Sequence, residues 1–327
     1  MDDLEGMTRM SNKHYLATRS LIFVSSLLLF LPLQVPKKLA HAGSLQDPIT
    51  IPQSMDFPVG TRPEALLFDG SNVWVANQQS DSLTKLRATD GLNLGTFETG
   101  IRPVALTYDG THVWVANKMS NNVMKFLAKD GSLVGTIAVG QQPEGLAFDG
   151  KDVWVANGGE NTVTKLRLSD GASCTFKVDL RPTALLYDGT YMWVVNNDAN
   201  SVTKLRGSDG VKIGTYKVGR RPSGISFDGT NIWVTNFYGS SITQLRAADG
   251  AVLNTIGVGD GPVGITFVNG YVWVANYGSS SVMQIEPKRG AIVNTFKVGK
   301  SPSSVIFDGA SLWVANGGSD SVSKVIL

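Results

Sequence analysis

Residues 63–77 read Pro-Glu-Ala-Leu-Leu-Phe-Asp-Gly-Ser-Asn-Val-Trp-Val-Ala-Asn, and close copies of this stretch recur along the chain. Each copy contains one of the seven tryptophans, which are separated by 40, 40, 39, 40, 40 and 40 residues. The tryptophans are Trp74, Trp114, Trp154, Trp193, Trp233, Trp273 and Trp313. A repeat of about 40 residues with strand-like content is typical of a β-propeller. The repeats therefore predict an all-β, seven-bladed propeller.

Each repeat contains four short apolar runs separated by turn residues. In the first repeat the runs lie at 65–68, 73–76, 83–87 and 95–98. Asp-Gly pairs follow the first and third runs, and such pairs favour tight hairpins because glycine readily adopts positive φ. Four antiparallel strands per repeat predict one blade per repeat.

Two positions of the repeat indicate how the blades pack. The residue two places after the first proline is always small, as innermost strands near a central axis require: Ala65, Ala105, Gly145, Ala184, Gly224, Gly264 and Ser304. The residue five places after that proline is always aromatic: Phe68, Tyr108, Phe148, Tyr187, Phe227, Phe267 and Phe307. We expect these rings and the tryptophans to fill the space between blades. The alternative for a single tryptophan is stacking on a ligand.

The two ends of the repeat region complement each other. The seventh repeat ends after its third strand, at 322–325, whereas residues 55–60 match the Phe-x-Val-Gly ending of a fourth strand. The N-terminal strand is therefore predicted to complete blade seven and close the ring, which removes an exposed sheet edge.

The first 42 residues lie outside the repeats. Lys13 and Arg19 precede an apolar run at 21–33, and Ala40-His41-Ala42 follows as a small-x-small cleavage site. This pattern predicts a signal peptide at 1–42, cleaved after Ala42, and a secreted or periplasmic propeller domain at 43–327 without a transmembrane helix. The alternative is an uncleaved N-terminal anchor, which the run fits poorly because a span needs roughly 20 residues.

The composition limits the classes of partner. The leader contains five of the 29 Lys and Arg and three of the 27 Asp and Glu, which leaves 24 of each sign at 43–327. A neutral chain lacks the basic footprint of a nucleic-acid protein, so no nucleic acid is expected. The single His and single Cys at 43–327 cannot supply a His/Cys metal cluster, and no metal or cofactor is expected. We expect a monomer.

Cys174 is the one cysteine of the chain. An exported protein with a single thiol has no internal disulfide. We expect Cys174 to be a small buried hydrophobe. Pairing between two chains is the alternative.

The turns after strands one and three lie on one face, called here the turn face. Asp-Gly turns make this face acidic, and aspartate there is explained by turn formation, with divalent-metal binding as the alternative. Blade six departs from the pattern with Asn269-Gly270 and with Glu286-Pro287-Lys288-Arg289.

An asparagine ends the second strand of each repeat, and we expect each to bond its own following backbone in an Asx turn. These are Asn77, Asn117, Asn157, Asn196, Asn236, Asn276 and Asn316.

The loops after strands two and four lie on the opposite face, called here the loop face. The loops after strand two differ most between blades, which is the pattern expected where a ligand rather than the scaffold selects residues. Arginine forks and aromatic rings suit an anionic or sugar-like ligand. The alternative is that the arginines cover strand ends and pair with acidic residues. The candidate ligand-binding residues are Arg62, Arg102, Arg181, Arg220, Arg221, Glu64, Glu144, Phe237, Tyr238 and Tyr277.

Trp233-Val234-Thr235-Asn236, with Trp-Val-Ala-Asn in most other blades, resembles the signature of the YVTN-type bacterial propellers. That group includes YncE-like and surface-layer-associated proteins, and the resemblance covers about 270 residues. It implies an exported binding or interaction module for an envelope or extracellular ligand, whether protein, glycan or small anion.

The chain more distantly resembles virginiamycin B lyase, a seven-bladed enzyme that opens streptogramin rings with His and Glu side chains and a magnesium ion. Glu64 and Glu144 remain, but His112 is the one histidine at 43–327 and falls in a strand one-to-two turn. General acid–base chemistry usually needs a group with a pKa near 7 beside the substrate. No Gly-x-Ser-x-Gly elbow occurs either. We therefore expect a non-catalytic binding propeller, with a lyase-like enzyme and a structural surface-layer-type protein as alternatives.

Overall fold

The computed structural model describes residues 54–327, which form seven four-stranded antiparallel sheets. The first strands of neighbouring sheets contact each other in a closed ring around a central channel. This arrangement confirms the predicted seven-bladed propeller with four strands per blade.

Blades one to four follow chain order. Blade one contains β2 (Pro63–Phe68), β3 (Asn72–Asn77), β4 (Ser82–Arg87) and β5 (Asn93–Glu98). Blade two contains β6 (Pro103–Tyr108), β7 (His112–Asn117), β8 (Asn122–Leu127) and β9 (Leu133–Ala138). Blade three contains β10 (Pro143–Phe148), β11 (Asp152–Asn157), β12 (Thr162–Arg167) and β13 (Ser173–Lys177). Blade four contains β14 (Pro182–Tyr187), β15 (Tyr191–Asn196), β16 (Ser201–Arg206) and β17 (Lys212–Lys217).

The remaining blades bring the two ends of the described chain together. Blade five contains β18 (Pro222–Phe227), β19 (Asn231–Asn236), β20 (Ser241–Arg246) and β21 (Val252–Gly257), with a 3-10 turn at Phe237–Gly239. Blade six contains β22 (Pro262–Val268), β23 (Tyr271–Asn276), β24 (Ser281–Glu286) and β25 (Ala291–Lys297). Blade seven contains β26 (Pro302–Phe307), β27 (Ser311–Asn316), β28 (Ser321–Ile326) and, as its outer strand, β1 (Ser54–Pro58).

The N-terminal strand closes the ring as predicted. β1 pairs antiparallel with β28, and Phe57 lies opposite Val322. The ring of Phe57 stacks on Trp313 with their centroids 5.5 Å apart. One blade is therefore built from both ends of the described chain.

Apolar clusters fill the spaces between neighbouring blades. In one cluster, Trp313 and Ala315 of blade seven pack against Val73, Val75 and Leu86 of blade one. The small residues near the channel are also explained, because a Cβ on Gly145 would approach the carbonyl oxygen of Thr183 in the next blade to 2.8 Å. The seven tryptophans are at most 2% exposed, which confirms them as core residues.

The turn aspartates do more than shape the turns. In blade five, Oδ1 of Asp228 accepts the N–H groups of Thr230 and Asn231, and Oδ2 accepts the indole N–H of Trp233 at 2.8 Å. Burial opposes ionisation, but these hydrogen bonds outweigh it and lower the pKa of Asp228. The same indole bond occurs in blades one to four and in blade seven.

Blade six shows what happens without this aspartate. Val268 takes the place of the aspartate, pairs with Tyr271 and leaves a two-residue Asn269-Gly270 turn, with both residues at positive φ. The indole nitrogen of Trp273 is buried without a hydrogen-bond partner in the described part of the chain.

Strand-three lysines join neighbouring blades. Lys204 is 1% exposed, and its Nζ donates to the carbonyl oxygens of Ala247 and Ala248 in blade five, at 2.6 and 3.1 Å. The same ammonium lies 5.0 Å from the ring centroid of Trp193 and 3.8 Å from that of Tyr191. Burial lowers the pKa of Lys204. Lys85, Lys165 and Lys324 make equivalent bonds to the next blade.

Two sequence-based expectations were wrong. The strand-two asparagines do not form Asx turns: Nδ2 of Asn77, for example, donates to the hydroxyls of Ser82 and Thr84 on the next strand. The asparagine is fully buried between two strands, so its amide reaches across the pair instead of back along its own loop. Cys174 is exposed, because β13 is the outer strand of blade three and its free edge faces solvent.

The predicted signal peptide at 1–42 lies outside the described residues. Within 54–327, no helix has the length and apolar character that a membrane crossing requires.

Candidate ligand-binding site at the channel mouth

A backbone irregularity directs one side chain of each blade towards the channel. The register of each first strand shifts after its proline: Pro63 pairs with Asn77 and Ala65 with Ala76, which leaves Glu64 out of the ladder. The same shift leaves Glu144 unpaired in blade three and Thr183 in blade four. Such bulges re-aim side chains, and all three residues line the channel.

The residue before each of these prolines has a left-handed backbone. The seven are Arg62 (φ 55°), Arg102 (59°), Gln142 (50°), Arg181 (53°), Arg221 (52°), Gly261 (60°) and Ser301 (52°). In blade two, the N–H of Arg102 donates to Oδ1 of Asp81, and its carbonyl accepts the N–H of Lys118. The scaffold therefore imposes this conformation. Glycine suits it best, yet four positions carry arginine.

The arginines at the front of blades one, two and four line a cavity of about 480 Å³ at the mouth of the channel. The cavity wall also includes Lys118, Gln78 and Asn197 from the two-to-three loops. Among residues 54–327, the guanidinium groups of Arg62 and Arg102 form no ion pair. These two side chains are half-buried and come from adjacent blades.

Glu144, by contrast, is fully engaged by the protein. Its carboxylate lies 3.2 Å from Nζ of Lys118 and 3.3 Å from Nε of Arg181, and its side chain is 12% exposed. Burial opposes the charge of Arg181, but Glu144 and Asp198 outweigh burial and raise the pKa of Arg181. Glu144 therefore acts as a fixed counter-ion within the wall of the mouth.

Glu64 lines the same cavity as Arg62, Arg102 and Glu144. Burial among the channel walls raises the pKa of Glu64 above its ordinary value of 4.5, and Glu144 adds to the increase. Arg62, Lys118 and Arg102 act in the opposite direction without cancelling it. The folded protein therefore holds the proton of Glu64 more tightly than an ordinary glutamate holds its own.

The predicted aromatic residues form a separate cluster beside this cavity. Phe237 contacts Tyr238 and Tyr277, with ring centroids 5.2 and 6.1 Å apart. Phe237 packs over Gly261, the position that is arginine in four other blades. Tyr238 is 61% exposed and Tyr277 is 36% exposed. The rings therefore lie on the loop face beside Gly261 of blade six, where glycine replaces the arginine of four other blades.

Arg221 joins the cluster to the cavity. Its guanidinium donates to Asn197 at 2.9 Å and to Asp198, and it lies 6.0 Å from the ring centroid of Tyr238. Asp198 also pairs with Arg181 at 3.7 Å. Arg220 is exposed and lies outside the cavity wall.

The structure thus brings five of the ten predicted residues into one cavity: Arg62, Glu64, Arg102, Glu144 and Arg181. Sequence reasoning missed Gln78 and Thr183 as cavity residues. Gln78 lies in one of the two-to-three loops that differ between blades, but nothing in the sequence distinguished it from its neighbours in that loop as a cavity residue. Thr183 follows Pro182 as Glu64 follows Pro63, and this shared position was the signal available for it.

His112, the histidine that acid–base chemistry would need, lies on the turn face. Its Nδ1 is 3.1 Å from Oδ2 of Asp109, and its backbone N–H donates to the same carboxylate. Within 54–327, no group of three or more His, Cys, Asp and Glu side chains is placed to hold a metal ion.

Fold and site together define a seven-bladed propeller with a small, positively charged cavity at one channel mouth. Its fold is similar to that of a streptogramin B lyase, with a TM-score of 0.72, 19% identity and coverage of 83% of this chain and 96% of that one. For a virginiamycin B lyase from Staphylococcus aureus the TM-score is 0.73 at 17% identity, with coverage of 84% of this chain and 99% of that one. For the hydrazine synthase of Kuenenia stuttgartiensis the TM-score is 0.72 at 20% identity, with coverage of 82% of this chain and 97% of that one. At these identities the similarity shows the fold alone.

No protein-family model matches the chain, and no curated protein matches its sequence.

Proposed function

We propose that this protein is an exported, non-catalytic binding propeller that captures a small anionic ligand at the mouth of its channel. The observation that carries the proposal is the pair of arginines, Arg62 and Arg102, whose guanidinium groups lack an ion-pair partner within 54–327. Guanidinium groups bind carboxylates and phosphates through two parallel hydrogen bonds. Two of them on adjacent blades form a receptor for one such group.

The charge balance of the cavity supports this proposal. Arg62, Arg102, Lys118 and Arg181 line it, opposed by Glu64 and Glu144. Glu144 is paired with Lys118 and Arg181. Four cationic side chains face two carboxylates, so the cavity carries an excess of positive charge, and Arg62 and Arg102 are its cations without an ion pair among residues 54–327.

Backbone strain gives a second, independent argument. A non-glycine residue in the left-handed region costs of order 1–3 kcal/mol, and the following proline disfavours a helical backbone further. Arg62 and Arg102 occupy positions where a glycine, as at the equivalent Gly261 of blade six, would be less strained. Strained residues of this kind cluster at functional sites.

A lyase-like activity receives less support. The similarity to lyases is limited to the fold. His112 lies on the turn face, and its backbone N–H donates a hydrogen bond to Asp109. The side chains at the mouth are suited to holding charge rather than to moving protons at neutral pH. We therefore propose binding rather than bond cleavage. A structural envelope role would leave the unpaired arginines without a ligand.

The YVTN-type family and the cell envelope are part of the same proposal. The Trp-Val-Thr-Asn and Trp-Val-Ala-Asn motifs support the family, and the signal-peptide pattern predicted at 1–42 supports export. We propose that the protein acts as a monomer.

The test is a thermal-shift series with inorganic phosphate, simple carboxylates and neutral sugars on the purified protein. Anions should raise the melting temperature in proportion to their saturation of the site. The Arg62→Gln/Arg102→Gln variant should lose this shift. The control Arg167→Gln/Arg206→Gln alters exposed arginines of the turn face and should keep it. Equal shifts in both variants would overturn the proposed site.

A further inference from the structure

We infer that the anion bound at the channel mouth is a hydroxylated carboxylate, of the kind a sugar acid provides, and that Gln78 recognises one of its hydroxyl groups. This inference rests on the proposed function and adds the class of ligand to it. The observation that carries it is an unused carboxamide in the cavity wall beside Arg62.

Gln78 is the first residue of the loop between β3 and β4. Its side chain lines the cavity and is 6% exposed. Its backbone N–H donates to the carbonyl of Arg62 at 2.8 Å, which fixes it next to the arginine. Its carboxamide oxygen is buried without a hydrogen-bond partner among residues 54–327. A buried polar group without a partner destabilises the protein, so a ligand that supplies the partner gains affinity.

Blade four provides a comparison at the equivalent position. Asn197 also begins its two-to-three loop and also lines the cavity. Its Nδ2 donates to the carbonyl of Pro222 at 2.7 Å, and its Oδ1 accepts from Arg221 at 2.9 Å. The scaffold therefore uses the carboxamide of Asn197 fully, whereas it leaves that of Gln78 unused.

Thr183 adds a second unused neutral group to the same cavity. Its hydroxyl is buried without a partner in the described part of the chain. At the equivalent positions, Ser223 donates to the carbonyl of Pro262 and Ser303 to that of Pro63, both at 3.0 Å. The serine hydroxyls thus join neighbouring blades, and the threonine hydroxyl does not.

These groups define the chemistry of the ligand. Arg62 and Arg102 require an anion, while a carboxamide and a hydroxyl require neutral groups that both donate and accept hydrogen bonds. Hydroxyl groups meet this requirement. An ammonium group does not suit a cavity lined by four cations and two carboxylates. A cavity of about 480 Å³ is within the range of small-ligand sites. A carboxylate that carries several hydroxyls satisfies all of these groups together.

The test is a calorimetric titration with three matched probes. D-glucuronate has the carboxylate and the hydroxyls, cyclohexanecarboxylate has the carboxylate alone, and D-glucose has the hydroxyls alone. We expect D-glucuronate to bind about tenfold or more tightly than cyclohexanecarboxylate, the effect of one hydrogen bond to a buried polar group. D-glucose should give no measurable heat.

Variants assign the difference to individual residues. Gln78→Met should weaken D-glucuronate about tenfold and leave cyclohexanecarboxylate unchanged, and Thr183→Val should act in the same direction. Gln79→Met changes the exposed neighbouring residue and should alter neither titration. Because cyclohexanecarboxylate reports on the arginines alone, its unchanged binding would show that the Gln78 and Thr183 variants keep the folded site.

The outcomes separate this inference from the proposed function. Equal binding of the two carboxylates, or equal weakening of both by Gln78→Met, would overturn the inference and leave anion capture intact. Tighter binding of N-acetylglycine than of D-glucuronate would overturn it in favour of a peptide carboxyl terminus. Failure of every carboxylate to bind would overturn both.

Discussion

The backbone N–H of Arg62 donates a hydrogen bond of 2.8 Å to the Oδ1 atom of Asp320, which lies 258 positions further along the chain. This bond joins blade seven to blade one where the ring closes. It also holds Arg62 at a φ of 55°, in front of the channel. The contact that closes the ring therefore helps to position the candidate ligand-binding arginine.

Glycine at this position should stabilise the fold and weaken binding. We expect Arg62→Gly and Arg102→Gly each to raise the free energy of unfolding by about 1 kcal/mol, because glycine relieves the left-handed strain. Urea denaturation measures this change, and the anion-dependent thermal shift should fall in the same variants. Arg206→Gly, at the end of a strand, should be destabilising instead. A loss of stability in Arg62→Gly would contradict the strain argument.

Glu64→Gln should stabilise the protein at neutral pH. The folded state holds the proton of Glu64 more tightly than the unfolded chain does, so its stabilising contribution is present below pH 4.5 and is lost as the pH rises through the raised pKa. The melting temperature of Glu64→Gln should exceed that of the wild type at pH 8. The two curves should meet near pH 4. Glu98→Gln, at an exposed position, should show no such pH-dependent gain.

Asp228→Asn should weaken the fold at neutral pH. The carboxylate of Asp228 accepts the indole N–H of Trp233, and an amide nitrogen facing that indole would leave it unpaired. We expect a loss of about 2 kcal/mol in urea denaturation at pH 7. Asp260→Asn, which changes an exposed aspartate, is the matched control.

The contribution of Asp228 should also depend on pH. Because its pKa is lowered in the folded state, this contribution is present above the unfolded value of 3.8 and is lost as the pH falls through the folded pKa. The difference between Asp228→Asn and the wild type should therefore shrink towards pH 3. A constant difference across this range would contradict the assignment of the pKa shift.

The N-terminal strand should control the stability of the whole ring. Phe57→Ala removes the stack on Trp313 and should lower the free energy of unfolding by about 2 kcal/mol, less than for a fully buried ring because Phe57 is half-buried. Met55→Ala, at an exposed position of the same strand, should have a smaller effect. Deletion of 43–60 should lower the melting temperature of the complete propeller. An unchanged melting temperature would contradict the role of this strand as the closing element.

The fold was predictable from sequence because each repeat carries the same packing demands. The tryptophan spacing predicted the blades, and the missing fourth strand of the seventh repeat predicted the pairing of β1 with β28. The small residue at 145 was predictable because the innermost strands crowd together near the channel. The close approach of the Thr183 carbonyl oxygen to Gly145 confirms this crowding. The role of Lys204 was not predictable, because its partners are backbone carbonyls of the next blade, which carry no sequence signal.

The candidate site was predictable only in part. The basic residues of the four-to-one loops located Arg62 and Arg102. The divergence of the two-to-three loops added Tyr238 and Tyr277, although these rings lie beside the cavity. The left-handed backbone of Arg62 ran against the preference that a following proline imposes. Cys174 was misplaced because exposure depends on which strand is outermost, and the residue type alone does not report that.

The most direct test of anion capture is to locate an anion in a crystal. Selenate carries an anomalous scatterer and two negative charges, so its position can be assigned without ambiguity. We expect an anomalous peak between the guanidinium groups of Arg62 and Arg102 that disappears when excess D-glucuronate is added. Peaks confined to other surface arginines, with none at the channel mouth, would contradict it.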